Sequence, residues 1–390
     1  MQRRILGLLF TVLFLVMIGF SILFPVEPYY IQMFGATSAT MGWLTASFSL
    51  AQFVFSPLWG RLSDRIGRRP VMMIGLLGYA VSMTLFALAR SIPHLFFARS
   101  LAGILSSATL PTAMAVISDT TSEDERAKGM GLLGAAFGLG AIFGPFVGGV
   151  LGDVGIRLPF FVTAALSLVT LLLVWWMLPE SLRPENRKAS AEPISRLQAF
   201  QPDTSWLYAV AFLTTFSLAG LETAFPFFAY DRLGSTTRSV GYIFAVMGIA
   251  GAIVQGGLIG PIRKRIGEER MIPLGLLISA VALVMIALSH HAVAGAAALS
   301  LFAAGNGLIR PANVSLITRR TKVGHGLAVG VYDSMDALGR VLGPIAGGTL
   351  YVLRDSLPFL GAAAVTLLAC LLFMSVALPR LRVSQESPLA

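Results

Sequence analysis

Long apolar runs, recurring along the whole chain between short charged breaks, constrain this sequence more than any other feature. A helix needs ~20 apolar residues to cross the hydrocarbon of a bilayer, and run after run reaches that length. Hydrophobic residues make up 56% of the chain and charged ones only 12%, against roughly 25% charged in an ordinary soluble domain. The chain therefore reads as an all-α, polytopic membrane protein. Its breaks predict twelve spans, at about 5–30, 41–60, 70–89, 94–117, 129–151, 158–178, 205–229, 239–260, 271–288, 293–317, 326–350 and 357–378. They divide the chain into a first six-helix bundle (1–178), a polar linker (179–204) and a second bundle (205–390). The first run is too long for a signal-peptide core and no small-residue cleavage site follows it, so it is expected to stay as a span.

The basic residues orient the spans. Gly60 to Pro70 (GRLSDRIGRRP) packs Arg61, Asp64, Arg65, Arg68 and Arg69 into a short hinge between two apolar runs, and such loops stay on the cytoplasmic side. With that hinge inside, 21 of the 29 Lys and Arg residues fall on the cytoplasmic side; Arg90, Arg157, Arg232, Arg238 and Arg354 fall outside. Both termini are then cytoplasmic, and the expected location is the inner membrane. The net charge of +10 follows from the same loops and calls for no nucleic acid. Cys370 stands alone, and His94, His290, His291 and His325 lie near helix ends without ligand spacing. No metal or cofactor is expected.

Laid over itself with a shift of about 200 residues, the chain repeats. Pro111 meets Pro311, Gly144-Pro145 with Gly148-Gly149 meets Gly343-Pro344 with Gly347-Gly348, and Leu158-Pro159-Phe160 meets Leu357-Pro358-Phe359. Gly60 to Arg69 recurs in decayed form as Gly260 to Arg270. A parallel duplication of six helices is a plan that transporters use for alternating access. The hinge pattern Gly60, Asp64, Gly67, Arg68, Arg69, the fifth-span run ending G-P-x-x-G-G and Arg99 within LFFARSLAG together resemble the major facilitator superfamily, in its drug:proton antiporter branch. The seventh span (FSLAGLETAFP) and the tenth (GNGLIRPA) are similar to bacterial multidrug exporters of the Bmr and NorA type. The resemblance covers nearly the whole chain and implies the major facilitator fold: twelve transmembrane helices in two pseudo-symmetric six-helix bundles.

Charge within a span needs a partner, a wet cavity or a task, and seven residues qualify: Glu27, Arg99, Glu222, Arg310, Asp333, Asp336 and Arg340. Glu222 lies about seventeen residues into the seventh span, roughly 25 Å of rise from its start. It matches the family's acid in that helix, which implies a proton carrier or a partner for a cationic substrate. Glu27, between Pro25 and Pro28, either faces a cavity or sits at the interface as a solvated anion. Asp333, Asp336 and Arg340 line one helical face, with Asp336 and Arg340 at i, i+4 and Arg310 able to approach from the tenth span. By resemblance Arg99 couples proton movement; the alternative is an arginine snorkelling to the outer interface. Asn306 stands where related exporters carry an acid, so Asp333 or Asp336 is expected to take over that role.

A substrate cavity is expected between the halves, lined by Phe24, Gln52, Phe137, Phe227 and Phe228 together with Glu222, Asn306 and Arg310. By resemblance the hinge residues Gly60, Asp64, Arg65, Gly67, Arg68 and Arg69 latch the cytoplasmic side, with Asp64 meeting the start of the eleventh helix; Gly144, Pro145 and Arg340 complete the gate. No P-loop occurs, so no ATP is expected to drive the protein. No nucleophile with its base stands out either, so the chain is not read as an enzyme. The reading is a proton-coupled exporter of lipophilic, often cationic drugs, working as a monomer among membrane lipids. The alternatives are an exporter dedicated to one substrate class, such as a tetracycline-like compound, a sugar or a metabolite, or a lipid flippase.

Overall fold

The computed structural model describes residues 2–120, 123–182, 204–321 and 324–377. Most of the 179–204 linker, together with the expected loop and tail cations Arg183, Arg187, Lys188, Arg196, Lys322, Arg380 and Arg382, lies outside the described residues. Every regular element among the described residues is helical: α1 Gln2–Ser21, α2 Glu27–Gln32, α3 Ser38–Ile66, α4 Arg68–Ala87, α5 Ile92–Ser106, α6 Thr109–Thr120, α7 Glu123–Val154, α8 Leu158–Met177, α9 Ser205–Asp231, α10 Thr237–Ile253, α11 Ile259–Ile266, α12 Glu268–Ala287, α13 Ala292–Arg320, α14 His325–Leu353 and α15 Leu357–Leu372. A π-helical turn, Val254–Leu258, joins α10 to α11, and another, Phe373–Ala377, follows α15.

Local chemistry explains the interruptions. The first predicted span breaks after Ser21 and resumes at Glu27, where Pro25 supplies no N–H and Pro28 occupies the first turn of α2. The fourth breaks between Ser106 and Thr109, because Pro111 lacks the N–H that would bond the carbonyl of Ser107. The hinge is shorter than expected: α3 runs on to Ile66 and α4 begins at Arg68, leaving only Gly67 non-helical, at φ +109°. Gly267 does the same between α11 and α12 at φ +76°, a backbone region that glycine enters at no steric cost.

The helices pack into two compact units. One comprises 1–36, 44–192 and 236–245; the other comprises 37–43, 193–235 and 246–390. Each therefore takes in a short helical piece from the other half of the sequence. In the first unit α1 packs on α7 and α8, and α4 on α5 and α8. In the second, α14 lies along α9, and α12 along α13 and α15. The pairings match under the repeat.

Lipid tails are as apolar as leucine, so helices associate in a bilayer through close packing and interhelical hydrogen bonds. Glycine supplies the first. A Cβ on Gly347 would lie 2.5 Å from the carbonyl oxygen of Gly220, and one on Gly241 would lie 2.5 Å from that of Pro145. Hydroxyls supply the second. Ser21 donates to Gly140 O at 2.8 Å and Ser38 to Gly348 O at 2.9 Å, bonds worth roughly 0.6 kcal/mol each in a membrane. Nine segments among the described residues are long and apolar enough to cross a membrane. Residues 2–32, α3 and α14 are not among them: α1 is shortened by its break, and α3 and α14 dilute their apolar residues with Ser, Thr, Gly and charge.

Candidate functional site

The ionisable residues inside the spans gather into one cluster in each unit. In the second, the glycines of α14 let it approach α9 closely: a Cβ on Gly339 would sit 2.8 Å from Phe212 O. Polar side chains then meet along the seam. Thr215 Oγ1 donates to Asp336 Oδ1 at 2.5 Å, and Arg340 Nε donates to Asp336 Oδ2 at 3.2 Å. Glu222, half-buried two turns after Thr215, lies within electrostatic reach of both Arg340 and Asp336. Arg340 thus pairs with Asp336 and is felt at longer range by Glu222. Elsewhere on α14, Asp333 is exposed and feels Arg310 of α13, itself exposed, while Tyr332 is buried within reach of Arg310, Asp333, Asp336 and Arg340. Three carboxyls therefore face two guanidinium groups. One proton makes the set neutral, and in low dielectric an unmatched charge is the state most strongly penalised. Asn306 is half-buried on α13.

The first unit holds a closed pair. Arg99 Nη2 of α5 lies 3.0 Å from Glu27 Oε2 of α2, with Glu27 1% and Arg99 2% exposed. The Arg99 guanidinium also stacks over Phe48, 4.7 Å from the ring centroid. One alternative for each falls here: Glu27 is not a solvated anion at the interface, and Arg99 does not snorkel. Their pairing had a signal. They are the two ionisable residues inside the predicted spans of the first half, and hydrocarbon offers each no better partner than the other. Glu27 Oε1, Arg99 Nε and Nη1 and the Tyr79 hydroxyl have no hydrogen-bond partner among the described residues, so the pair is not fully satisfied.

The hinge is fastened inside its own unit. Arg68 binds Asp64 at 2.5 Å, Asp119 at 3.1 Å and Ser63 at 2.7 Å. The carboxylate at the start of α4 is Glu180, whose two oxygens accept from the backbone N–H of Arg68 at 2.9 Å and of Arg69 at 3.2 Å. That arrangement satisfies two orphan donors and complements the helix dipole. The Arg69 guanidinium reaches the carbonyl of Trp175. Gly67 is required twice over, by its positive φ and by Glu180 standing where a Cβ would project. Arg65 is exposed, and Gly60 has open space around it.

The second copy of the hinge is inverted rather than decayed. At the position equivalent to Arg68 stands Glu268, 8% exposed, 3.5 Å from both Arg263 and Arg319 and accepting from Ser315 Oγ at 2.9 Å. Arg319 is the repeat partner of Asp119. The two halves thus build the same buried-ion motif with opposite signs, and Arg320 to Glu269 at 2.7 Å reinforces the second.

Gly144 and Pro145 lie on α7, where Gly140, Gly144 and Gly148 face α1 and Gly149 faces Thr237 and Gly241. Of the expected aromatic lining, Phe24 is half-buried between Phe20 and Phe244, and Phe137 and Gln52 are half-buried, Gln52 with a long contact to Ser106 at 3.5 Å. Phe227 and Phe228 are core residues instead: Phe227 packs on Tyr351, and Phe228 lies edge-on to Phe359 at 5.0 Å. Among the described residues no group of His, Cys, Asp and Glu could hold a metal ion.

Comparison with known proteins brings the pieces together. The chain matches the Major Facilitator Superfamily over residues 9–324 and 256–389. The chain belongs to that superfamily. It is 30% identical over 372 residues to "Multidrug resistance protein 2" of Bacillus subtilis, covering 93% of each. To "Tetracycline resistance protein, class C" of Escherichia coli it is 30% identical over 348 residues, 87% of each. Among solved structures, the human organic anion transporter MFSD10 (TETRAN) superposes with a TM-score of 0.70 at 24% identity, over 95% of this chain and 99% of that one. The nucleoside transporter NupG gives 0.80 at 15% identity, over 95% and 99%. This is a major facilitator fold.

Proposed function

We propose that this superfamily member exports lipophilic cationic compounds in exchange for protons, by alternating access, with Glu222 as the carboxyl that takes up and releases the proton. The observation that carries the reading is the Glu222, Arg340, Asp336 set: together with Asp333 and Arg310 it holds one acid more than its bases can neutralise. Protonating Glu222 removes that excess, and a cationic substrate beside the same carboxylate removes it equally well, so the two ligands compete. Competition for one carboxylate is the simplest chemistry for exchange. Glu27 and Arg99 supply a neutral, buried tie in the other unit, and the hinge residues Gly60, Asp64, Arg65, Gly67, Arg68 and Arg69 serve conformational change together with Gly144, Pro145 and Arg340.

On this reading α1–α2, α3 and α14 cross the membrane in addition to the nine apolar segments, giving twelve spans with both termini in the cytoplasm and a monomer as the working unit. A relative named for tetracycline resistance is, like the multidrug one, 30% identical to this chain, over 348 residues against 372, which supports a second reading, export of one tetracycline-like class. Proteoliposomes with an imposed pH gradient separate the two. Movement of ethidium and of unrelated cationic dyes supports broad export; movement of tetracycline alone supports the narrow reading; gradient-independent movement of every compound contradicts proton exchange.

A further inference from the structure

Asp336 has two fixed partners, and one comes from a residue with an easier alternative. A helical threonine in a bilayer ordinarily returns its hydroxyl to the carbonyl three or four residues back. Thr214 does so, to Val210 O at 2.7 Å and Ala211 O at 3.1 Å, and Thr223 does so to Ala219 O at 2.9 Å. Thr215 lies between them on the same helix, is 6% exposed, and crosses to α14 to donate to Asp336 instead. It sits seven residues before Glu222, two turns away on the same side of α9. The groups around Asp336 are Arg340, Tyr332 and Asp333 on its own helix, Glu222 on α9 and, through Tyr332 and Asp333, Arg310 on α13. α15, which also packs on α14, carries no charged residue.

We infer that Thr215 is a positioning residue whose hydroxyl holds Asp336 as the fixed anionic partner of Arg340, and so leaves Glu222 as the acid that exchanges its proton. A carboxylate that accepts on one oxygen from a hydroxyl and on the other from a guanidinium has both sides engaged, and those bonds are lost or reversed if it takes a proton. Glu222 feels the same arginine at longer range, and among the described residues no side chain is seen donating to it. Remove the hydroxyl, and the two acids compete for Arg340 on nearly equal terms; the proton is then spread over both.

The inference rests on Glu222 being the proton carrier, and its test needs no transport. The infrared band of protonated carboxyls, followed against pH in detergent-solubilised full-length protein and taken as the difference between variant and wild type, cancels the other acids of the chain and shows which carboxyls hold the proton. Relative to wild type, Thr215→Ala is expected to spread the same proton over two carboxyls, adding an aspartic component to the glutamic band, and Thr215→Ala/Asp336→Asn to lose that component. Thr215→Ser, which keeps the hydroxyl, is expected to titrate as wild type. The inference is overturned if Thr215→Ala titrates as wild type does, or if Thr215→Ser matches Thr215→Ala, which would make the residue a matter of shape alone. Failure of dye export with these titrations intact would count against the transport reading and leave the Thr215 assignment standing.

Discussion

The two polar clusters differ in how their charges balance. In one unit, Glu27 and Arg99 match one acid to one base, deep in the protein and stacked on Phe48. In the other, Arg340 is shared by Asp336 and Glu222, with a half-buried carboxyl left over. The matched pair is neutral as it stands, whereas the unmatched set carries a net charge that one proton or one cationic substrate removes. On the proposed reading the first cluster is a structural tie and the second the place of exchange.

The largest effect should come from unbalancing the first pair. Glu27→Gln strands the Arg99 charge in the interior and is expected to cost about 3–5 kcal/mol, seen as a lowered unfolding temperature in detergent. Glu27→Leu with Arg99→Met removes both charges and should recover most of that loss; if the double variant is no more stable than the single one, the pair is not what holds α2 against α5. Next comes the inverted hinge. Arg68→Glu sets three carboxylates together and should cost about 3 kcal/mol, whereas Arg68→Glu with Asp119→Arg and Asp64→Lys copies the sign pattern already used at Glu268 and should recover at least half of it. A smaller loss, about 1–3 kcal/mol, is expected for Gly347→Ala, whose methyl would press on the Gly220 backbone. Gly138→Ala, with open space around it, should be neutral. Equal losses from the two glycine variants would remove the claim that glycine sets the α9 to α14 spacing along which the second cluster forms. The least costly to stability is Glu222→Gln, expected to stay within about 0.5 kcal/mol of wild type while uncoupling export from the pH gradient.

Much of the architecture was legible because its cause is local or periodic. Apolar run length located the helices, while the breaks near Pro25/Pro28 and Pro111 and the single-residue turns at Gly67 and Gly267 interrupt or shorten what run length predicts. What was not legible depends on contacts across distance. Glu180 caps α4 from more than a hundred residues away. The hinge repeat looked decayed because likeness between residues was compared, whereas the conserved quantity is complementarity: Arg68 with Asp119 in one half, Glu268 with Arg319 in the other. Thr215 gave no signal at all, since a threonine in an apolar run has a local hydrogen bond open to it. Phe227 and Phe228 were misplaced because sequence alone does not tell a packed aromatic from an exposed one.

The central claim is that Glu222 holds the exchangeable proton. Proton release on adding ethidium to unbuffered, detergent-solubilised protein measures it most directly. Wild type is expected to release a proton as the cation binds, with Glu222→Gln releasing none. Release from Glu222→Gln equal to that of wild type would contradict the account and move the exchange to another acid.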